Sequence, residues 1–288
     1  MAREPDALRQ RRQRRPRLRQ QIRNREIFCI YCAGESIAET VDHMPPIVIF
    51  HNNHRPEGLE FPACEDCNRS ARITDTVVGL LSRLYPPSTD RRTDAEVSRL
   101  LQAVANNAPG ALEEMHVSTA RSRRQLAREG LSEELGLLNV GGPIIKSHLE
   151  AFAARQALAM HYMRLGSAVP RAGGVVCRTF TNLDAALGGI PDDLFRLVGE
   201  PDTLRQGRGL EVSDQFLYAA RAVEERTMVA SYSLFRQSLA FFTISAINVS
   251  HLTEAMTAGA RVIIPGQFRA TALPSYRLSF TVSGIPLR

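Results

Sequence analysis

Two Cys-x-x-Cys pairs constrain this chain more than any other feature of its sequence. Cys29 and Cys32 form the first pair, Cys64 and Cys67 form the second, and 31 residues separate the pairs. Matched pairs of this kind supply four thiolates for one tetrahedral ion, the usual ligand set of structural zinc. The sequence therefore predicts a zinc-stabilised module over residues 26–88, because so short a segment buries too little surface to be stable without the ion.

The histidines near these cysteines leave an alternative open. His51 and His54 form a His-x-x-His pair in the stretch "HNNH", so a mixed cysteine–histidine site competes with the four-thiolate site. Four thiolates from two matched pairs are the simpler ligand set. The fifth cysteine, Cys177, has no partner spacing and is predicted to be a small buried apolar residue.

The net charge of +6 is concentrated at one end of the chain. Residues 1–25 contain ten arginines and two acidic residues, so their balance is +8 and the other 263 residues sum to −2. This segment lacks a sustained apolar period, which predicts a flexible arm, and its guanidinium groups suit phosphate contacts. The arginines expected to contact nucleic acid in this arm are Arg11, Arg12, Arg14 and Arg15.

Within the cysteine-bearing stretch, "TVDHM" and "LEFPAC" are predicted as short strands, the first ended by two prolines. A helix is predicted after the second pair, since apolar residues recur there at helical spacing. These residues are Ile73, Val77, Leu80, Leu81 and Leu84.

The rest of the chain changes character near residue 171. Helices are predicted after Thr93 and over residues 111–129 and 144–165. Branched and aromatic residues then dominate five segments that are predicted as strands, namely "QFLYAARAV", "TMVASYSLF", "LAFFTISAI", "ARVIIPGQF" and "YRLSFTVSG". The predicted fold class is α+β, with an arm (1–25), the zinc module (26–88), a helical segment (89–170) and a C-terminal domain (171–288) built on a mainly antiparallel sheet with flanking helices.

The order of motifs in the zinc module resembles that of the HNH endonucleases. A Cys-x-x-Cys pair is followed by Asp-His-x-x-Pro and then by Cys-x-x-Cys-Asn at the start of a helix. The resemblance covers about residues 26 to 84. The matching residues are Cys29, Cys32, Asp42, His43, Pro46, Cys64, Cys67 and Asn68.

The resemblance implies a ββα-metal fold with one catalytic divalent ion beside the structural zinc. His43 would act as the general base for phosphodiester hydrolysis, and Asp42 and Asn68 would hold Mg²⁺ or Mn²⁺ through oxygen atoms. Arg69 and Arg72 would contact phosphate; a solvated helix face is the alternative for these two residues and for Asp75. Asp75 would be an additional or indirect metal contact.

The chain departs from the family pattern before the second cysteine pair. The family usually has an Asn or His there that orients the general base, whereas this sequence reads "PEGLEFPAC". Glu57 or Glu60 could take that part by accepting a proton from His43 Nδ1, and so could Asn52 or Asn53. The alternative function is therefore a zinc-stabilised nucleic-acid-binding module with weak or no catalysis.

The cellular setting follows from composition. The most apolar stretch, "LAFFTISAI", is too short to span a bilayer, and the N-terminus lacks the pattern of a secretory leader. We therefore expect a soluble, cytoplasmic endonuclease that takes DNA as its partner, does not bind membranes and is compatible with a homo-oligomer.

Overall fold

The computed structural model describes residues 14–25, 27–51, 54–85, 91–204, 211–257, 259–267 and 280–283. It mixes helices with antiparallel strands, so the predicted α+β class is confirmed. Within the predicted arm, the described part contains helix α1 (Arg14–Arg23). Arg14 and Arg15 begin this helix, and Arg11 and Arg12 lie outside the described residues.

The cysteine module, residues 27–85, contains a short hairpin followed by two helices. Both predicted strands are present: β1 (Thr40–His43) pairs antiparallel with β2 (Glu60–Ala63), and a 3₁₀ turn (Ile47–Ile49) lies between them. Helices α2 (Glu65–Ser70) and α3 (Arg72–Arg83) follow the second cysteine pair. The predicted apolar face of α3 is buried except for Ile73, whose side chain is 42% exposed.

The next segment contains more breaks than predicted. Helix α4 (Arg91–Asn107) leads to α5 (Ala111–Met115) and α6 (Thr119–Arg128), so the single helix expected over 111–129 is interrupted at residues 116–118. The interruption lets Val117 pack beside Leu126 in a small apolar cluster. The strand β3 (Gly136–Asn139) was not predicted, because four residues carry too little periodic signal. Helix α7 (Pro143–Leu165) confirms the prediction over 144–165.

The remaining elements form a four-stranded antiparallel sheet in the order β4-β7-β6-β5. Its strands are β4 (Gly174–Thr181), β5 (Phe216–Val223), β6 (Met228–Phe235) and β7 (Leu239–Ala246). Two helices, α8 (Asn182–Ala186) and α9 (Asp192–Val198), lie between β4 and β5, and α10 (Thr253–Thr257) follows β7. We call α7 and these four strands the sheet region.

Two of the predicted strands differ from the structure. The described part of the stretch "ARVIIPGQF", residues 260–267, makes only an isolated bridge between Ile263 and Val175, because Pro265 cannot donate a ladder hydrogen bond. The last predicted strand is described over β8 (Phe280–Ser283), which pairs with β3 and not with the four-stranded sheet.

Helix α7 lies at the centre of the molecule. It packs against α3 on one side and against the sheet on the other. Its N-terminus is held by Glu114, whose carboxylate accepts the backbone N–H groups of Ile144 and Ile145. A Cβ at Gly142 would lie 2.1 Å from Glu114 Cδ, so this contact requires glycine.

A continuous apolar core joins the cysteine module to the sheet region. Phe152 of α7 contacts Phe235 and Phe241 of the sheet with ring centroids 5.5 Å apart. The same core continues through Val77 of α3 to Ile30, which lies between the first two cysteines. Helix α7 is therefore fixed relative to both parts of the fold.

Candidate functional site

The four paired cysteines come together at one point. Their sulfur atoms all lie within 4.8 Å of one another. A tetrahedral zinc ion with bonds of about 2.3 Å needs sulfurs about 3.8 Å apart, so a small adjustment would close the site. The cluster formed by Cys29, Cys32, Cys64 and Cys67 could therefore hold a structural metal ion such as zinc.

Local backbone geometry forms the first half of this cluster. The N–H of Tyr31 donates to Cys29 Sγ over 3.4 Å, and the N–H of Gly34 donates to the carbonyl of Cys29 over 3.0 Å. Gly34 has φ 78°, a conformation that glycine adopts without steric cost. The second half uses the start of α2, where Cys64 precedes the helix and Cys67 lies in its first turn.

The sulfurs interact strongly enough to favour a shared negative charge. Hydrogen bonding from the Cys67 thiol lowers the pKa of Cys29, although burial opposes that shift, and the same pairing raises the pKa of Cys67. A donor set that retains a thiolate among four sulfurs suits a dication, which would replace the remaining thiol protons.

The competing histidines are not part of this cluster. Among the described residues, the only group close enough to share a metal ion is that of the four cysteines. His51 Nδ1 lies 2.9 Å from Glu96 Oε2, and its backbone N–H donates to Gln215 Oε1 over 2.9 Å. Burial lowers the pKa of His51. His51 therefore joins the cysteine module to α4 and to the residue before β5.

Asp42, the predicted ligand of the catalytic ion, is buried in a polar cluster. Its Oδ2 accepts hydrogen bonds from the Tyr31 hydroxyl and from Arg155 Nη2, the latter over 2.8 Å. Arg155 Nη1 donates to Asp75 Oδ1 over 2.9 Å, and the guanidinium carbon lies 5.2 Å from the centre of the Tyr31 ring. We call these four residues the aspartate–arginine cluster.

The cluster is charged and only slightly exposed. The side chain of Arg155 is 2% exposed and that of Asp75 is 16% exposed. Burial raises the pKa of Asp75 to about 7, while the charge of Arg155 opposes the shift and that of Asp42 adds to it. Burial, followed by the charge of Asp42, raises the pKa of Tyr31. Asp75 thus pairs with Arg155 and lies near Asp42.

Asn68 reaches the strand that carries Asp42. Its Nδ2 donates to Thr40 Oγ1 over 3.0 Å. Thr40 and Asp42 are two positions apart on β1, so their side chains project from the same face of the hairpin. The Asn68 amide and the Asp42 carboxylate therefore lie on one face, as a shared ion would require.

His43 is the last residue of β1 and lies directly opposite Glu60 of β2. Glu60 Oε1 is 3.6 Å from His43 Nε2, which is too long for a hydrogen bond. His43 Nε2 is buried and makes no hydrogen bond to the described residues. Of the residues suggested as orienting groups, Glu60 lies beside Nε2 and not beside the expected Nδ1, because it faces His43 across the hairpin. Glu57 is exposed, and Asn52 and Asn53 lie outside the described residues.

The two arginines after the second cysteine pair are exposed. Arg69 Nη2 lies 2.5 Å from Glu65 Oε1 in a surface ion pair whose side chains are 57% and 62% exposed. Such pairs contribute little to stability, so Arg69 and Arg72 remain accessible to a phosphate without loss of a structural contact.

Sequence reasoning missed Arg155. It lies in the run "EAFAARQALAM", where the helix is buried on more than one face, as Phe152, Ala154 and Leu158 show. A single arginine inside an apolar helix is a detectable signal, because buried guanidinium groups require acceptors. The sequence does not say which acceptors they are.

None of the helices in the described part of the chain is long and apolar enough to cross a membrane.

Comparison with known proteins identifies no relative of this chain. No protein-family model, curated protein or solved structure matches the chain.

Proposed function

We propose that this protein is a metal-dependent HNH-type endonuclease that hydrolyses phosphodiester bonds in DNA. Asp42 and Asn68 would hold Mg²⁺ or Mn²⁺, and His43 would be the general base. The observation that supports this most directly is the hydrogen bond from Asn68 to Thr40, which brings the amide to the face of β1 that carries Asp42. Carboxylate and amide oxygens are the ligands that such ions prefer.

The two nitrogens of His43 differ in their surroundings. Nε2 is buried on the side of Glu60, so Nδ1 would take the proton from the attacking water. The Glu60 carboxylate would orient the ring in place of the family's missing Asn or His, after closing the 3.6 Å separation. A bound Mg²⁺ or Mn²⁺ would stabilise charge on the phosphate and on the departing oxygen.

Basic residues would supply affinity that is independent of DNA sequence. Arginines neutralise phosphates and release counterions, so binding through them weakens as salt increases. Exposed Arg69 and Arg72 follow the second cysteine pair, close in sequence to Asn68. The further arginines proposed to contact DNA are Arg11, Arg12, Arg14 and Arg15 of the arm.

A second candidate is a metal-stabilised nucleic-acid-binding module with weak or no catalysis. Two observations favour it. One carboxylate oxygen of Asp42 is already occupied by Tyr31 and Arg155, and His43 Nε2 is buried without a hydrogen bond. Both features would reduce the reactivity of a hydrolytic centre.

The deciding experiment is a plasmid nicking assay. Purified protein, stripped of exchangeable Mg²⁺, is incubated with supercoiled plasmid with and without Mg²⁺ or Mn²⁺. We expect ion-dependent nicking or linearisation by the wild type and a loss of at least about a hundredfold in rate for His43→Ala, the usual contribution of a general base. His116→Ala, a change at an exposed histidine outside the cysteine module, is the matched control and should cut at the wild-type rate.

The outcomes separate the two candidates. Cleavage that needs both the ion and His43 supports the endonuclease. Folded, zinc-loaded protein that binds the plasmid and never cuts it supports the binding module. Cleavage by His43→Ala at the wild-type rate contradicts the general-base role.

A further inference from the structure

The central helix α7 delivers a buried arginine to the aspartate of the proposed site. Arg155 and Asp42 are 113 positions apart in sequence, and their side chains are 2% and 6% exposed. Four segments contribute to the aspartate–arginine cluster: the loop after Cys29, β1, α3 and α7. Such convergence on one carboxylate requires an explanation beyond packing.

We infer that Arg155 is a positioning residue for the divalent ion, and this inference rests on the proposed function. The hydrogen bonds from Tyr31 and Arg155 both end on Asp42 Oδ2. They hold the carboxylate through Oδ2, so Oδ1 would be the oxygen offered to an ion. Arg155 itself touches neither the ion nor the substrate.

The planar fork of arginine is what this role needs. One terminal nitrogen, Nη2, bonds Asp42, while the other, Nη1, bonds Asp75 over 2.9 Å. Asp75 therefore sets the angle at which the guanidinium meets Asp42, and the Tyr31 ring packs against the guanidinium at 5.2 Å. A lysine would keep the charge, but its single ammonium group lacks the rigid fork that serves two acceptors at once.

Helix α7 provides a fixed base for this side chain. Its N-terminus is clamped by Glu114, and His148 Nδ1 lies 3.0 Å from Thr74 Oγ1 of α3, the helix that also carries Asp75. The position of the guanidinium is therefore set by two packed helices. Positioning groups must be held by rigid elements if they are to orient a ligand.

Stability alone does not account for the cluster. A buried ion network often contributes no more to stability than apolar side chains of similar volume would, because its charges lose their hydration. Groups that hydrogen-bond a metal ligand, by contrast, commonly change metal affinity by 10- to 100-fold when they are removed. With Arg155 in this role, the affinity of the cysteine module for the divalent ion depends on α7.

The test compares two arginine-to-lysine changes in the same helix. Arg155→Lys keeps the charge and removes the fork. Arg164→Lys, the matched control, alters a different ion pair, with Asp202. For both variants and the full-length wild type, the Mn²⁺ concentration that gives half-maximal nicking is measured beside kcat, zinc content, melting temperature and Mn²⁺ binding followed by electron paramagnetic resonance.

We expect Arg155→Lys to raise the half-saturating Mn²⁺ concentration by about tenfold or more, with the same shift in the resonance titration and unchanged zinc content. Arg164→Lys should leave both curves in place. A purely structural Arg155 would lower the melting temperature without moving the Mn²⁺ curves, and that result would overturn the inference.

If Arg155→Lys does not fold, Tyr31→Phe takes its place. This variant keeps the ring against the guanidinium and removes only the hydroxyl that bonds Asp42 Oδ2. We expect a smaller shift of the Mn²⁺ curve in the same direction, and an unchanged curve overturns the inference. An active wild type with unshifted variants defeats this inference alone, whereas a wild type that neither cuts nor binds Mn²⁺ defeats the proposed function with it.

Discussion

The cysteine module and the sheet region are built by different means. The module has two strands of four residues each, and backbone turns hold its first cysteine pair, Cys29 and Cys32. The sheet region has four strands of eight residues and an aromatic core that includes Phe152, Phe235 and Phe241. The candidate site thus lies in the part with the shorter strands, which could hold a metal ion at its four cysteines and packs against a rigid neighbour.

Side chains hold backbone carbonyls of the cysteine module both from the sheet region and from within the module. Ser238, in the turn before β7, donates to the carbonyl of Tyr85 over 2.7 Å. Arg83 of α3 donates to the carbonyls of Val48 and Phe50 over 2.9 and 2.7 Å and pairs with Glu96 of α4. The loop after His43 is therefore fixed both by its own backbone hydrogen bonds, such as that from Phe50 N–H to the carbonyl of Ile47, and by side chains from other elements.

The largest expected effect removes the metal from the cysteine module. Cys64→Ser deletes one ligand of the cluster, so we expect loss of zinc and a decrease of about 5 kcal/mol or more in the free energy of unfolding. Metal content by mass spectrometry and a denaturant titration measure both quantities. Cys177→Ser, which changes a cysteine outside the cluster, is the control and should retain the metal. Normal zinc and normal stability in Cys64→Ser would contradict the metal site.

The second-largest expected effect is a loss of stability of the sheet region at acidic pH. His161 of α7 is 0% exposed, its Nδ1 lies 2.9 Å from Ser245 Oγ, and burial lowers its pKa from 6.5 to about 4. The unfolded chain therefore binds a proton more tightly than the folded one. The neutral imidazole costs nothing above pH 6.5, and stability is lost as the pH falls from there toward 4.

For this histidine we expect a loss of about 2 to 3 kcal/mol between pH 7 and pH 4.5. Urea titrations of the wild type and of His161→Gln at both values isolate its share, since metal loss at low pH affects both proteins equally. His116→Gln, at an exposed position, serves as the control. Equal pH dependence in the wild type and His161→Gln would show that His161 does not remain neutral in the folded protein.

The smallest expected effect concerns the helix that joins the regions. Glu114→Gln keeps one carbonyl acceptor for the N-terminus of α7 but loses the charge and one of two hydrogen bonds. We expect a decrease of about 1 kcal/mol in the free energy of unfolding, measured by urea titration. Glu113→Gln, at the neighbouring exposed position, should be neutral. Equal stability of the two variants would mean that Glu114 does not hold the helix.

Prediction from sequence succeeded where the signal is local. The two strands of the hairpin, helix α7 and three strands of the large sheet were all visible in short stretches of sequence, through helical spacing, bounding prolines or a high content of branched and aromatic residues. It failed for β3, for β4 and for the stretch around Ile263, since pairing with a distant segment decides whether a few apolar residues form a strand. The long helix expected over 111–129 is interrupted at Val117, which packs with Leu126 in a small apolar cluster. The sequence alone did not indicate this contact.

By itself, the sequence determined the four cysteines as one set, the two short strands at "TVDHM" and before the second cysteine pair, and the asymmetry of charge, because each depends on spacing or composition. Only the tertiary structure decided that Asp42 is held by Arg155, that Asn68 reaches the same face of β1, and that Glu60 lies beside His43. These contacts join residues up to 113 positions apart. A charged residue in an apolar helix indicates from sequence that it needs a buried partner, but only the packing of the core determines which partner lies close enough.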